Sequence, residues 1–250
     1  MAERAPRFIG RKRELDELSE LLSSGDRIVT VWGAGGMGKT RIARELASRA
    51  DRPVVEVDLT EAADAEGLAS ALARAAAVHV SPARREEDVL RQLARALRTR
   101  GRVTVIFDGF EHLVDSSTRA VEILAEEADG ARFVVTSRER LRLEREHAYE
   151  LGPMTLSGAA DAAELFVARA AEAGVPIDAT DPRVGALIQG LEGIPLAIEL
   201  AAARLEVLGL GGLLERLDAR LSLLSRGVRG VRPKQATMRG AIAWSWDLLS

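Results

Sequence analysis

Eight residues, Gly33, Ala34, Gly35, Gly36, Met37, Gly38, Lys39 and Thr40, follow the apolar run RIVTVW (27–32) and precede the helix-like RIARELASRA (41–50). The spacing is G-x-x-x-x-G-K-[ST], in the order strand, loop, helix that a phosphate cradle requires. Glycines let the backbone curl so that successive N–H groups point inward at phosphate oxygens, and a helix starting near Lys39 aims its positive end at the same place. Lys39 then reaches the β- and γ-phosphates, the Thr40 hydroxyl holds a magnesium ion, and Arg41 belongs to the same binding segment. The competing reading is a solvated glycine turn. Composition weighs against it: of 35 Lys and Arg residues only Lys12, Lys39 and Lys234 are lysines, so lysine is not this chain's default cation.

A phosphate cradle needs a carboxylate on a second strand to organise the magnesium ion. The run VTVIFD (103–108) supplies Asp108 at a strand's carboxyl end, where open α/β sheets place ligands. Hydrolysis also needs a group that orients or activates water. Glu111 is the nearest carboxylate, although an acidic residue there equally suits the start of a helix. His112 reads as a loop or packing residue. Arg138, just past RFVVTS (132–137), can read the γ-phosphate if its strand lies beside the cradle strand; otherwise it is a surface charge like Glu139, Arg140 and Arg142.

The elements that must position these groups alternate in the first half of the chain. Strand candidates are 27–32, 53–58, 102–108, 132–137 and AYEL at 148–151, with helical periodicity at Ile42/Leu46/Ala50, Val89/Leu93/Leu97 and Val121/Leu124/Ala128. This pattern predicts an α/β domain of the P-loop NTPase type with a parallel five-stranded sheet over residues 1–154. From 155 to 225 the β-branched runs stop and helix follows helix, which predicts a small all-α domain. Residues 226–250 form a basic, turn-rich linker leading to Trp244, Trp246 and two leucines that need a core. The expectation is a third domain cut short at the end of the sequence.

Apolar residues make up 47% and charged residues 29%, the balance of a folded globular chain. No apolar run has membrane length and the N-terminus lacks a signal-peptide core, so a cytoplasmic location without membrane contact is expected. The absence of cysteine excludes disulfides and thiolate metal sites. A net charge of −3 gives no reason to expect DNA binding by this stretch.

Taken in order, the segments 8–15 (FIGRKREL), 33–40, 105–113 (VIFDGFEHL), 133–141 (FVVTSRERL), 190–205 (GLEGIPLAIELAAARL) and 238–250 (MRGAIAWSWDLLS) resemble the STAND class of signalling P-loop ATPases. The likeness is to the NB-ARC type and to the ATPase modules of large bacterial LuxR-type and SARP-type transcription regulators. The resemblance implies a sheet order of 5-1-4-3-2 and a helical domain that closes over the nucleotide. It implies that Phe8, Ile9, Gly10 and Arg11 pack against adenine, chiefly through their backbone, and that Gly193, Ile194 and Pro195 touch the nucleotide from the helical side. Pro195 also suits the first turn of a helix without any ligand. Many relatives carry a second acidic residue directly after the strand aspartate, where this chain has Gly109, and slow hydrolysis is the expected consequence. The resemblance further implies partners: winged-helix and sensor domains of the same chain beyond residue 250, and self-association of the full-length protein with ATP bound.

The function these observations favour is an ATPase switch that uses ATP/ADP and Mg2+, as the nucleotide-binding module of a larger, transcriptional regulator. Two alternatives differ in class. An AAA+-like ATPase acting on DNA would use the basic stretch 226–239 and bind DNA in a salt-dependent way. A small-molecule kinase would need an acceptor pocket and would leave GIPLAIELAAAR unexplained.

Overall fold

The computed structural model describes residues 7–25, 27–81, 85–156 and 161–227, with side chains as far as residue 217. The linker and winged-helix start expected over 226–250 lie almost wholly outside the described residues. By its contacts the chain divides into two units: Lys12–Leu151, and Gly152–Ser250 together with Met1–Arg11.

The first unit runs α1 (Lys12–Ser24), β1 (Ile28–Trp32), α2 (Lys39–Arg49), β2 (Val54–Asp58), α3 (Ala65–Ala75), α4 (Glu86–Thr99), β3 (Val103–Asp108), a 3-10 turn (Phe110–His112), α5 (Val114–Glu127), β4 (Ala131–Ser137) and β5 (Glu146–Glu150). Its strands form one sheet in the order β2-β3-β4-β1-β5, parallel at every pairing. This is the order 5-1-4-3-2 seen from the other edge.

Parallel strands joined by crossover helices are buried on both faces, so their sequences read as apolar runs. Val103, Val105 and Phe107 of β3 join Phe133 and Val135 of β4 and Leu68, Leu72, Leu93, Leu97, Val121 and Leu124 of α3, α4 and α5 in one core. Phe107 stacks on Phe133 with ring centroids 5.9 Å apart. The alternate residues Val29, Val31, Ile106 and Val134 point to the opposite face and are also buried. There α2 turns Ile42, Ala43, Leu46 and Ala47 inward, and α1 packs against α2.

Register fixes what meets at the carboxyl edge. Trp32 is level with Ser137 on one side and Glu150 on the other. Phe107 pairs with Val135, which sets Asp108 beside Thr136, and Asp58 is level with Asp108. The cradle, the strand aspartate and Arg138 thus leave the sheet at one edge.

The second unit holds α6 (Asp161–Glu172), α7 (Pro182–Gly190), α8 (Pro195–Ala203) and α9 (Leu205–Gly227, broken at Gly209 with φ 64 and ψ 168). Phe166, Leu187, Ile198, Ala201 and Leu213 are among its buried residues. Arg169 is buried within it and donates to Glu199 at 3.0 Å, to Glu172 at 2.7 Å and to the Arg7 carbonyl at 3.1 Å. Arg11 is also buried: its N–H donates to Asp161 Oδ2 at 2.9 Å and its guanidinium to the Gly152 carbonyl at 2.9 Å. These bonds tie residues 7–11 to the helical unit.

Candidate functional site

The loop between β1 and α2 is pinned at its start. Gly33 N–H donates to the Ser137 carbonyl at 3.2 Å, and Leu151 N–H donates to the Trp32 carbonyl at 2.8 Å. A Cβ on Gly33 would stand 2.5 Å from the Leu151 carbonyl oxygen, so only glycine allows the residue after β5 to pass this close. At the loop's end Gly38 is left-handed, with φ 83, and leads into α2 without a side-chain cap on the helix. A Cβ at Gly38 would meet no protein atom, so glycine is required there by backbone conformation and not by crowding. The first turn of α2 therefore turns its N–H groups toward the loop, the arrangement that attracts anions.

Lys39 folds over this loop and donates to the carbonyls of Gly33 and Ala34, both at 2.9 Å. Burial pushes its ammonium pKa below the usual lysine value. The Glu111 and Asp108 carboxylates oppose that shift and the Arg138 guanidinium reinforces it. One half-buried cation thus feels all three of the other proposed site charges.

Thr40 and Asp108 meet directly, with the Thr40 hydroxyl donating to Asp108 Oδ1 at 2.7 Å. A second hydroxyl, that of Thr136, donates to the same oxygen at 2.5 Å and itself accepts from Gly109 N–H at 3.0 Å. Asp108 Oδ2 lies 3.9 Å from the guanidinium of Arg44, which also pairs with Glu56 at 3.0 Å. Beyond the turn, Arg138 Nε pairs with Glu111 Oε1 at 3.0 Å, with the arginine 68% and the glutamate 30% exposed. His112 bonds the Ala62 carbonyl through Nε2 at 2.6 Å, a packing contact toward the segment before α3. Arg140 places its guanidinium 4.8 Å from the centre of the Trp32 ring.

The donor set suits a nucleoside phosphate with a divalent cation. It offers an uncapped helix N-terminus and an ammonium for the anion, and a threonine hydroxyl bonded to an aspartate for a hard, oxygen-seeking ion. The sequence reading did not mark Thr136 or Arg44. The signal available for Thr136 was a hydroxyl one strand over from Asp108, at the buried end of an otherwise apolar run. Phe8, Ile9, Gly10, Arg11 and Pro195 lie in the helical unit. Ile9 and Arg11 are buried, and Pro195 occupies the first turn of α8 after Ile194. Gly193, at φ 66, accepts from Met154 N–H at 2.9 Å through its carbonyl.

Sheet order and glycine loop together give the fold of the P-loop NTPases. Residues 22–143 match the model of a family described as an AAA domain. The chain is 33% identical to an uncharacterized protein of Mycobacterium tuberculosis over 97% of its own length and 62% of that protein's. It is 34% identical to a second protein of the same organism, named as a candidate HTH-type transcriptional regulator, over 92% of its own length and 26% of the regulator's. The chain therefore spans less than two thirds of either relative. Among solved structures, a Walker-type ATPase of Pyrococcus abyssi superposes with a TM-score of 0.60 at 14% identity, covering 89% of this chain and 77% of that one. A STAND protein of Pyrococcus horikoshii with a tetratricopeptide repeat sensor does so with a TM-score of 0.57 at 18% identity, covering 97% and 40%. Among the described residues no helix is long and apolar enough to cross a membrane.

Proposed function

We propose that this chain is a nucleotide-operated switch of the STAND, NB-ARC-like kind, which binds ATP or ADP with Mg2+, hydrolyses ATP slowly and serves as a module of a larger transcriptional regulator. The observation that carries the reading is the Lys39, Thr40 and Asp108 arrangement at the mouth of the glycine loop. The regulator role is supported by the relative named as such, of which this chain would be about a quarter.

In this reading the loop N–H groups and the start of α2 hold the phosphates, and Lys39 exchanges its carbonyl partners for phosphate oxygens. A bound magnesium ion, held by Thr40 and through Asp108, would neutralise charge on the β- and γ-phosphates. Phe8 to Arg11 supply the adenine contacts and Pro195 a contact from the helical side, both carried over from the resemblance.

Glu111 is the candidate to orient water, and Arg138 is the candidate to sense the γ-phosphate. The two share an ion pair, so a γ-phosphate competes with Glu111 for the same guanidinium. An ion-paired Glu111 is not free to face a water until the arginine is drawn off, and Gly109 offers no second acid. Both features support slow turnover.

Calorimetry with ATP and ADP, with and without magnesium, followed by phosphate release, tests the reading. Magnesium-dependent binding of both nucleotides is expected. Glu111→Gln should leave binding within about twofold and slow phosphate release by about a hundredfold. Absence of nucleotide binding would overturn the assignment, and wild-type turnover in Glu111→Gln would remove Glu111 from the mechanism.

A further inference from the structure

We propose that Thr136 is a positioning residue for Asp108, acting with the Gly109 N–H to hold the carboxylate in the orientation that a metal-bound nucleotide needs. The inference rests on the nucleotide reading above and adds a residue to it.

The bond directions are forced. Gly109 N–H can only donate, so Thr136 Oγ1 accepts from it at 3.0 Å. A carboxylate oxygen can only accept, so the single hydroxyl proton of Thr136 goes to Asp108 Oδ1, as does that of Thr40. Two donors fill the two lone pairs of Oδ1 and fix the carboxylate plane. Oδ2 lies 3.9 Å from the Arg44 guanidinium and accepts from neither hydroxyl. Thr40, having spent its proton on Asp108, would have its own oxygen lone pairs to offer to a cation.

Thr136 itself is 2% exposed and sits at the buried end of β4, so it acts through Asp108 and not by touching ligand. What aims the Gly109 N–H at it is the turn after β3, where Gly109 is left-handed with φ 82. An L side chain adopts that backbone only under strain. The position at which the resemblance leads one to look for a second acid is therefore committed to a backbone task, and the carboxylate available for water is the one three residues past Asp108.

The test compares Thr136→Val, Thr136→Ser and Gly109→Ala by titrating magnesium into the protein with a fixed concentration of a fluorescent ADP. Metal-free ADP binding and the thermal midpoint are measured in parallel. Valine keeps the shape and removes the hydroxyl, so the magnesium concentration for half-maximal effect should rise about tenfold, the loss of one hydrogen bond to a charged group. Metal-free ADP affinity should stay within about twofold, and serine should restore the wild-type magnesium midpoint. An unmoved midpoint in Thr136→Val overturns the inference. So does an equal loss of metal-free binding, which would make Thr136 part of the loop's shape. If the valine variant does not fold, Gly109→Ala decides: it must raise the magnesium midpoint, and an unmoved one overturns the inference. A wild-type protein that binds no nucleotide fails the function itself, whereas magnesium-dependent wild-type binding with unmoved variants fails this inference alone.

Discussion

The Asp108 network in the sheet unit and the Arg169 network in the helical unit look alike on paper: each is a charged side chain at the edge of a core, satisfied by several hydrogen bonds. They differ in what surrounds them. Asp108 stands at a strand's carboxyl end beside an uncapped helix start, with one oxygen saturated by hydroxyls and the other 3.9 Å from a guanidinium. Arg169 is 9% exposed and donates from all three guanidinium nitrogens, to Glu199, Glu172 and the Arg7 carbonyl. A charge at a core's edge therefore points to function by its setting, here a strand's carboxyl end beside the start of α2. Where every guanidinium nitrogen is engaged by the chain, the charge is architecture, holding α6, α8 and the N-terminal segment to one another.

Arg169→Met should expose that difference most strongly. Removing one member of a buried pair costs about 3 kcal/mol, at the low end of the usual range because Glu172 and Glu199 remain partly hydrated. Chemical denaturation should show the loss, and phosphate-analogue binding by the sheet unit should change little. A fully stable Arg169→Met would erase the contrast.

Lys39→Ala should behave in the opposite way. ADP affinity should fall about a hundredfold by calorimetry, since phosphate oxygens lose their charged partner. Stability should hold or rise, because burial depresses the Lys39 pKa and so charging it costs the fold something. The sign is fixed by linkage: the cost is fully present below the depressed pKa and vanishes as pH climbs to the unfolded lysine value. The melting-temperature gap between mutant and wild type should therefore narrow at alkaline pH.

Arg138→Ala, the smallest effect, sharpens the comparison within the site. Its pair with Glu111 is largely exposed and contributes little to stability. ATP affinity should fall about tenfold while ADP affinity stays put, since only ATP brings a phosphate to a γ-reading cation. Equal losses for the two nucleotides would instead place the guanidinium at the β-phosphate.

The strands that build the site were legible because parallel, doubly covered strands are apolar runs. The structure begins β1, β2 and β3 one residue later than the apolar runs and β4 one residue earlier, while β5 begins two residues before AYEL. That strand is an edge, Glu146 to Glu150, and carries no run to betray its start. α3, which buries Ala65, Leu68, Ala69, Ala71 and Leu72, was not among the helices marked in the sequence, and alanine at three of those five positions does not stand out in an alanine-rich chain. Glycine loop, lysine and aspartate could be read from spacing alone. Thr136 could not, since a threonine in a strand is ordinary and its meaning comes from a neighbour 28 positions away. The Glu111 and Arg138 pair was likewise invisible, each residue having been weighed separately against a surface role.

The bond from Leu151 N–H to the Trp32 carbonyl has a topological corollary. Trp32 is the last residue before the glycine loop, and Leu151 is the last before the chain passes to the other unit. The rung that anchors the loop thus lies beside the second of the two places where the chain crosses between units, the first being Arg11 to Lys12. Between Gly152 and the residue that leads into the loop stand one peptide bond and one hydrogen bond.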